Sequence, residues 1–156
     1  FDKSYKAETV GLAKGKTIKK SGVTYKVTTA ATYTEATDKK TTGKVQVTGF
    51  DKKAKTLKVA DTIKVGTESY AVTSIKAGAF KGASKVTAVT LGKKVKSIGK
   101  DTFVNCKKLK TLTIGVKLSS VTKNSFKGCK TVKVKGTAAA ANKKLLAKQN
   151  KTVKFK

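Results

Sequence analysis

The sequence predicts a mostly β solenoid of stacked 23-residue repeats, with short helical or irregular returns between its strands. The first observation is that Phe80, Phe103 and Phe126 recur at one constant interval. The second is that the segments between them have the apolar spacing of short buried strands. The third is that both ends of the repeated region depart from the pattern, as the caps of a finite stack must.

Four columns of residues share this interval, which indicates that they are buried in register. Beside the phenylalanines, the columns are Ile75, Ile98 and Val121; Val72, Val95 and Leu118; and Ala83, Cys106 and Cys129. The spacing Val86-x-x-Val89-x-Leu91 recurs as Leu109-x-x-Leu112-x-Ile114. We therefore expect the three phenylalanines to lie in the core and not on a surface that stacks bases or sugars.

One stretch resembles a known family. Ile98-Gly99-x-x-x-Phe103-x-x-Cys106-x-x-Leu109-x-x-Leu112-x-Ile114 is similar to the BspA-like class of leucine-rich repeats. The resemblance covers about residues 72–134. It implies a right-handed leucine-rich-repeat solenoid with its strands on the concave side, and an exported bacterial surface protein with a role in adhesion.

The N-terminal region is predicted to be a β-rich cap with a degenerate first repeat over residues 16–71, preceded by residues 1–15 as a linker or the end of another domain. Val23–Thr28 and Lys44–Thr48 alternate as strands with one apolar face. Residues 30–42 lack periodicity and are expected to be an exposed loop or long hairpin connection. Residues 64–71 are interpreted as an inserted hairpin around Gly66.

The repeats are expected over residues 72–134, and a C-terminal cap over residues 135–156. Within that cap, Ala138–Gln149 has the composition of a helix, and Thr152–Phe155 alternates like a closing strand. In the last repeat, Val132 and Val134 are assigned to the places of Leu112 and Ile114, with three residues missing after Cys129.

The charge is unusual because 37 basic residues face 8 acidic ones, for a net charge of +29, and every basic residue is lysine. Arginine supplies the planar fork that reads phosphates and guanine edges, whereas lysine is a flexible point charge. Sequence-specific nucleic-acid recognition is therefore not expected. The partners expected are a protein or an anionic glycan or cell-wall polymer, held by salt-sensitive attraction.

Missing residue types narrow the chemistry. The chain has no histidine, so no Ser-His-Asp or Cys-His catalytic group can form, and no motif singles out a Ser–Lys pair. We expect no enzyme activity, no catalytic residues, no cofactor and no metal site. Cys106 and Cys129 share a column with Ala83, which favours free buried thiols, although stacked repeats would also allow a disulfide.

The candidate binding residues are of two kinds. Alternation on the strand face predicts one outward row of Lys58, Thr90, Thr113 and Lys133, and another of Thr56, Ala88, Thr111 and Thr131. Lysine ridges are predicted from pairs separated by the repeat interval, which are Lys94 and Lys117, Lys100 and Lys123, Lys85 and Lys108, and Lys107 and Lys130. These ridges either bind anions or only keep the surface soluble.

These observations favour a non-catalytic adhesion or binding scaffold at the bacterial cell surface. The alternative is a nonspecific nucleic-acid-binding protein, which would use the same charge. No apolar run is long enough to insert in a membrane, and the first residues, Phe1 to Lys3, do not open a signal peptide, so a mature extracellular fragment is expected.

Overall fold

The computed structural model of the protein describes residues 8–156. The first half contains nine strands and a short 3-10 helix at Glu35–Thr37. The strands are β1 (Glu8–Val10), β2 (Thr17–Lys20), β3 (Val23–Thr29), β4 (Ala31–Thr34), β5 (Lys39–Thr41), β6 (Gly43–Phe50), β7 (Thr56–Lys58), β8 (Thr62–Val65) and β9 (Glu68–Ile75). The second half contains β10 (Ala88–Leu91), β11 (Ser97–Ile98), β12 (Thr111–Ile114), β13 (Ser120–Val121), β14 (Thr131–Gly136), helix α1 (Ala139–Gln149) and β15 (Lys154–Phe155).

The solenoid is built on a parallel sheet of five strands in the order β15-β14-β12-β10-β7. Its register is that of the repeat, because Val89 of β10 lies beside Leu112 of β12, the equivalent residue of the next repeat. A second parallel pair, β11 and β13, lies in the return segments and joins Ile98 to Val121. The predicted mostly β solenoid of 23-residue repeats is therefore confirmed.

The centre of the core is a column of phenylalanine rings. Phe80, Phe103 and Phe126 are fully buried, as predicted. Their ring centroids are 5.6 Å and then 4.7 Å apart. Phe50 extends the column at one end, 6.2 Å from Phe80, and Phe155 extends it at the other, 5.3 Å from Phe126. One continuous core thus runs from the N-terminal cap through the repeats to the C-terminal cap.

Each repeat bends twice through left-handed backbone. The two sets of positions at the repeat interval are Gly78, Asp101 and Asn124, with φ of 70°, 57° and 59°, and Gly82, Asn105 and Gly128, with φ of 75°, 60° and 93°. Glycine, asparagine and aspartate are the residues that adopt this conformation at least cost. These turns fold the return segment back over the phenylalanine column.

The N-terminal region forms a five-stranded sheet in the order β2-β3-β6-β9-β8. Strands β8 and β9 form an antiparallel hairpin around Gly66, which confirms the predicted hairpin, and its strands extend over Thr62–Val65 and Glu68–Ile75. Strand β9 runs parallel to β6 and leads directly into the first full repeat. The sheet therefore covers the open N-terminal end of the array.

Residues 30–42 were expected to be an exposed loop or a long hairpin connection, and they do connect the antiparallel strands β3 and β6. They also contain strands, which form a second small sheet in the order β1-β4-β5. Strands β4 and β5 are themselves a hairpin, in which Thr32 lies beside Thr41. Threonine is β-branched and favours strands even where no apolar alternation is visible. Strand β1 pairs with β4, so Glu8–Val10, within the segment expected to be a linker, belong to this sheet; residues 1–7 lie outside the described residues.

The C-terminal cap has the helix and closing strand that the sequence predicts, but the strand before them lies in a different register. Leu112 of β12 pairs with Val134, not with Val132. Val132 instead stands one full repeat interval after Leu109, and both are buried. The assignment of Val132 to the place of Leu112 was therefore wrong, and one residue is missing from the last repeat, not three.

Two asparagines close the end of the solenoid. Inside the array, the amide of Phe103 donates to the carbonyl oxygen of Ser125 in the next turn. The amide of Phe126 has no next turn and donates to Oδ1 of Asn150 at 2.9 Å. Oδ1 of Asn142 accepts from the amide of Leu118 at 2.8 Å, and its Nδ2 donates to the carbonyl oxygen of Val116 at 2.9 Å. Asn150 thus replaces a carbonyl of an absent repeat, and both asparagines satisfy backbone groups at the end of the array.

Candidate binding surfaces

The outward face of the parallel sheet carries two rows of side chains. The observed rows are Thr56, Ala88, Thr111 and Lys133, and Lys58, Thr90, Thr113 and Lys135. Lys133 was expected beside Thr113, and the register of β14 corrects this by placing Lys135 there. Small residues thus occupy the middle of the face, with lysines on β14 and on β7.

The other predicted lysines lie away from this face. Lys94 and Lys117 lie in the turns that follow β10 and β12, and Lys100 and Lys123 follow β11 and β13 in the return segments. All four are exposed. Lys94 donates from Nζ to Oγ1 of Thr62 at 3.3 Å. The predicted residues therefore occupy three separate surfaces and do not form one site.

A cluster of lysines lines a cleft of about 480 Å³ at the start of strands β12 and β14. Its lining is Lys107, Lys108, Leu109, Lys110, Lys130, Thr131 and Lys133, and we call it the lysine cleft. All five lysines are exposed, while Leu109 is buried beneath them. None of the lining residues is acidic, so the ammonium groups have no counter-charge from the walls.

A second cleft, of about 470 Å³, lies at the other end of the strands and differs in charge. Its walls include Lys58 and Lys93, but also Asp61. Oδ1 of Asp61 accepts a hydrogen bond from the amide of Lys93. The carboxylate offsets part of the positive charge, so this cleft is less suited to an anion than the lysine cleft.

A third cavity, of about 590 Å³, lies at the end of the N-terminal sheet. It is lined by lysines of β2 and of the turn after β6, together with the half-buried ring of Phe50. Asp51 is also part of its wall, and Oδ1 of Asp51 accepts from the amide of Lys53 at 2.9 Å. Here too a carboxylate accompanies the lysines.

Among the side chains that the structure describes, one ion pair is present. Nζ of Lys40 lies 2.8 Å from Oε1 of Glu68, whose carboxyl is nearly buried. The hydrogen bond from Lys40 lowers the pKa of Glu68 below its usual value, against the effect of burial. This pair lies in the N-terminal region, so the lysines of the repeats have no paired carboxylate in the described part of the chain.

Cys106 and Cys129 are free thiols, buried in their shared column. Sγ–H of Cys106 donates to the carbonyl oxygen of Phe80 at 3.2 Å, and Sγ–H of Cys129 donates to that of Phe103 at 3.3 Å. Burial raises the pKa of Cys106 to about 12 and that of Cys129 to about 11. A thiol held in its neutral form is a poor nucleophile and a poor metal ligand.

No group of three or more candidate metal ligands is found within residues 8–156. Over the same residues, no helix has both the length and the apolar character needed to cross a membrane.

Comparison with known families decides what kind of repeat this is. The model of the BspA-type leucine-rich-repeat region, in six copies, matches residues 62–141, just over half of the chain. The chain belongs to the BspA-type leucine-rich-repeat family. The match begins at the start of β8 and ends in α1, so it leaves out β7, the first strand of the solenoid sheet, which belongs to the repeat that the sequence pattern had left degenerate.

Solved structures of leucine-rich-repeat proteins show the same fold. One, from Bacteroides ovatus ATCC 8483, has 24% sequence identity and a TM-score of 0.53 over 76% of this chain and 37% of its own length. Another, from Bacteroides capillosus ATCC 29799, has 18% identity and a TM-score of 0.57 over 90% of this chain and 98% of its own length. The chain thus spans little more than a third of the first structure. No curated protein matches the sequence.

Sequence reasoning found part of the lysine cleft and missed the rest. Lys107, Lys108 and Lys130 were assigned to ridges and Lys133 to the strand face, but Lys110 was not singled out, although it precedes Lys133 by the same repeat interval. Lys135, which lies on the strand face and does not line the cleft, was missed because the expected register placed Lys133 in its row. The repeat interval alone would have found Lys110, whereas Lys135 requires the strand pairing.

Proposed function

We propose that this leucine-rich-repeat chain is a non-catalytic binding scaffold of the bacterial cell surface that attaches electrostatically to anionic polymers. The observation that carries the proposal is the charge of the array. Residues 69–156 contain 22 lysines and a single acidic residue, Asp101. On a rigid stack the backbone positions that carry these charges are fixed, so the array presents a persistent positive field to a polyanion.

The absence of catalysis is supported by the side chains available. The chain has no histidine, and the pKa values of both thiols are raised by burial. A nucleophile therefore lacks a histidine base, and neither thiol is an ionised sulfur near neutral pH. The small threonine and alanine side chains in the middle of the strand face, beside Lys58 and Lys133, offer a smooth surface for a protein partner, which is the usual use of such repeats.

The surface location is supported by membership of the family, whose proteins are typically secreted or exposed at the bacterial surface. The net charge of +29 suits retention by anionic wall polymers after export.

The test is co-sedimentation of the purified chain with isolated bacterial cell walls at increasing sodium chloride, with duplex DNA as a soluble competitor. We expect binding at low salt, release as salt rises, and no advantage of DNA over a poly(glycerol phosphate) of equal charge concentration. A chain that stays in the supernatant at low salt contradicts attachment to anionic polymers. Preferential displacement by DNA favours the nucleic-acid alternative.

A further inference from the structure

We infer that the lysine cleft is the specific attachment point on the array, and that its ligand is the phosphodiester chain of a linear polyol phosphate polymer. This inference rests on the proposed function and locates it at one site. The argument starts from the lining, in which five lysines meet one threonine and one leucine. Every charged group in the wall of the cleft is therefore positive.

The location of the cleft depends on the stacking of two particular repeats. Lys107, Lys108 and Lys110 precede β12, and Lys130 and Lys133 lie at the corresponding corner of the next turn. The repeat before them keeps Lys85 at the place of Lys108 but carries Ser84 and Thr87 where Lys107 and Lys110 stand. Three lysines at this corner are therefore reduced to one in the preceding repeat, so the cluster is not a uniform property of the repeat.

The backbone holds this corner in place. The amide of Lys110 donates to the carbonyl oxygen of Thr87 at 2.8 Å, and the amide of Lys133 donates to that of Lys110 at 2.7 Å. Buried Leu109 and Val132 fix the chain between the lysines. The lysine main chains are thus fixed in position, while their long side chains remain free to follow a flexible ligand.

The lining also indicates which polyanion the cleft accepts. It contains no aromatic ring, so it has no platform for the bases of a single-stranded nucleic acid. It contains no carboxylate and no amide side chain, so the hydroxyl of Thr131 is the one side-chain acceptor in the lining that could read the hydroxyl groups of a sugar ring. Ammonium groups with the hydroxyl of Thr131 recognise oxyanions by charge and hydrogen bonding alone. A thin acyclic chain with one phosphate per unit matches that chemistry.

The experiment compares two variants that lose the same charge. The cleft variant carries Lys108→Gln, Lys110→Gln, Lys130→Gln and Lys133→Gln. The control variant carries Lys143→Gln, Lys144→Gln, Lys148→Gln and Lys151→Gln, which are exposed residues on or next to α1 and do not line the cleft. Affinity for a synthetic poly(glycerol phosphate) is measured by calorimetry from about 50 to about 200 mM sodium chloride, and circular dichroism verifies that both variants fold.

We expect the cleft variant to bind at least about tenfold more weakly than the unmodified chain at the lowest salt. The fall of log K with log salt should also be shallower for this variant, by about 3 in slope. The control variant should lose less than about threefold. Equal losses in the two variants overturn the cleft while leaving diffuse attachment intact. Absence of binding by the unmodified chain overturns the proposed function itself.

A heparin arm tests the identity of the ligand. At equal charge concentration, replacing the four cleft lysines should weaken the binding of heparin less than it weakens the binding of poly(glycerol phosphate). An equal loss of heparin binding in the cleft variant shows that the cleft accepts any oxyanion ester, and overturns the assignment to a polyol phosphate.

Discussion

Phe103 should contribute more to the stability of the folded chain than any other single residue. It lies in the middle of the phenylalanine column, fully buried, with Phe80 on one side and Phe126 on the other. We predict that Phe103→Ala lowers the free energy of unfolding by about 3–5 kcal/mol, because the ring is lost and a cavity remains in a stack that contacts only its neighbours. Chemical denaturation measures the change.

Phe155→Ala is the matched control, because that ring ends the column and is only partly buried. Its loss should shift the denaturation midpoint less than that of Phe103. If the two substitutions have equal effects, or if the midpoint of Phe103→Ala equals that of the unmodified chain, the column is not the centre of the core.

The two cysteines should be unreactive in the folded chain. At pH 8 we predict that iodoacetamide alkylates Cys106 and Cys129 at least about 100-fold more slowly in the native protein than in urea, because both are buried and only a thiolate attacks. Mass spectrometry of timed samples gives the rates. Rapid alkylation without denaturant would show that the repeat column opens in the native state.

The same thiols give a pH dependence whose sign follows from their pKa values. Burial raises the pKa in the folded state to about 12 for Cys106 and about 11 for Cys129. The stability this provides is complete below the unfolded value near 9, and is lost as pH rises through the folded values. Denaturation midpoints from pH 8 to 11 should therefore fall more steeply for the unmodified chain than for a variant with alanine at both positions, the residue found at Ala83.

Residues differ in how well the sequence reveals them. The phenylalanine and cysteine columns were predictable because one residue type recurs at one interval. The left-handed columns were not, because Gly78, Asp101 and Asn124 share a backbone conformation and not a side-chain chemistry. A pattern search based on hydrophobicity does not see such positions, although all three types tolerate positive φ.

At the scale of elements, the C-terminal cap depends on buried asparagine. Asn150 accepts from the amide of Phe126 and donates to the carbonyl oxygen of Leu146 at 3.2 Å. We predict that Asn150→Ala lowers the free energy of unfolding by about 1–3 kcal/mol, since the amide of Phe126 loses its partner in a buried setting. Lys151→Ala, at an exposed neighbour, should change it by less than about 0.5 kcal/mol.

Hydrogen exchange provides a second readout for this prediction. The amide of Phe126 should lose protection in Asn150→Ala, while the amide of Phe103, which donates to Ser125, should keep it. Unchanged protection of Phe126 would show that the asparagine does not close the array.

The register of β14 shows where element-level prediction fails. The sequence correctly indicated a strand with Val132 and Val134 facing inward, and both are buried. A shift of two positions along a strand leaves the inward face unchanged, so the apolar pattern cannot distinguish the two registers. The pairing of Leu112 with Val134 between β12 and β14 settles it, and that pairing is not visible in the alternation.

At the scale of the whole molecule, the repeat interval predicted the solenoid because every turn buries the same columns against its neighbours. The binding surfaces were less predictable. A lysine at a repeat position is exposed whichever ligand it serves, so the interval locates Lys107 and Lys130 without showing that Lys110 and Lys133 join them in one cleft. That grouping depends on how the strand ends meet in space.

The last prediction concerns the charge of the folded stack. The compact array holds its lysines closer together than the unfolded chain does, so at low ionic strength their repulsion destabilises the native state. Sodium chloride should therefore raise the melting temperature. Poly(glycerol phosphate) at about 100-fold above its dissociation constant should raise it further, by about 5–10 °C at equal ionic strength, because it binds the native state. Equal melting temperatures in low-salt buffer, sodium chloride and polymer would mean that the lysines serve only solubility.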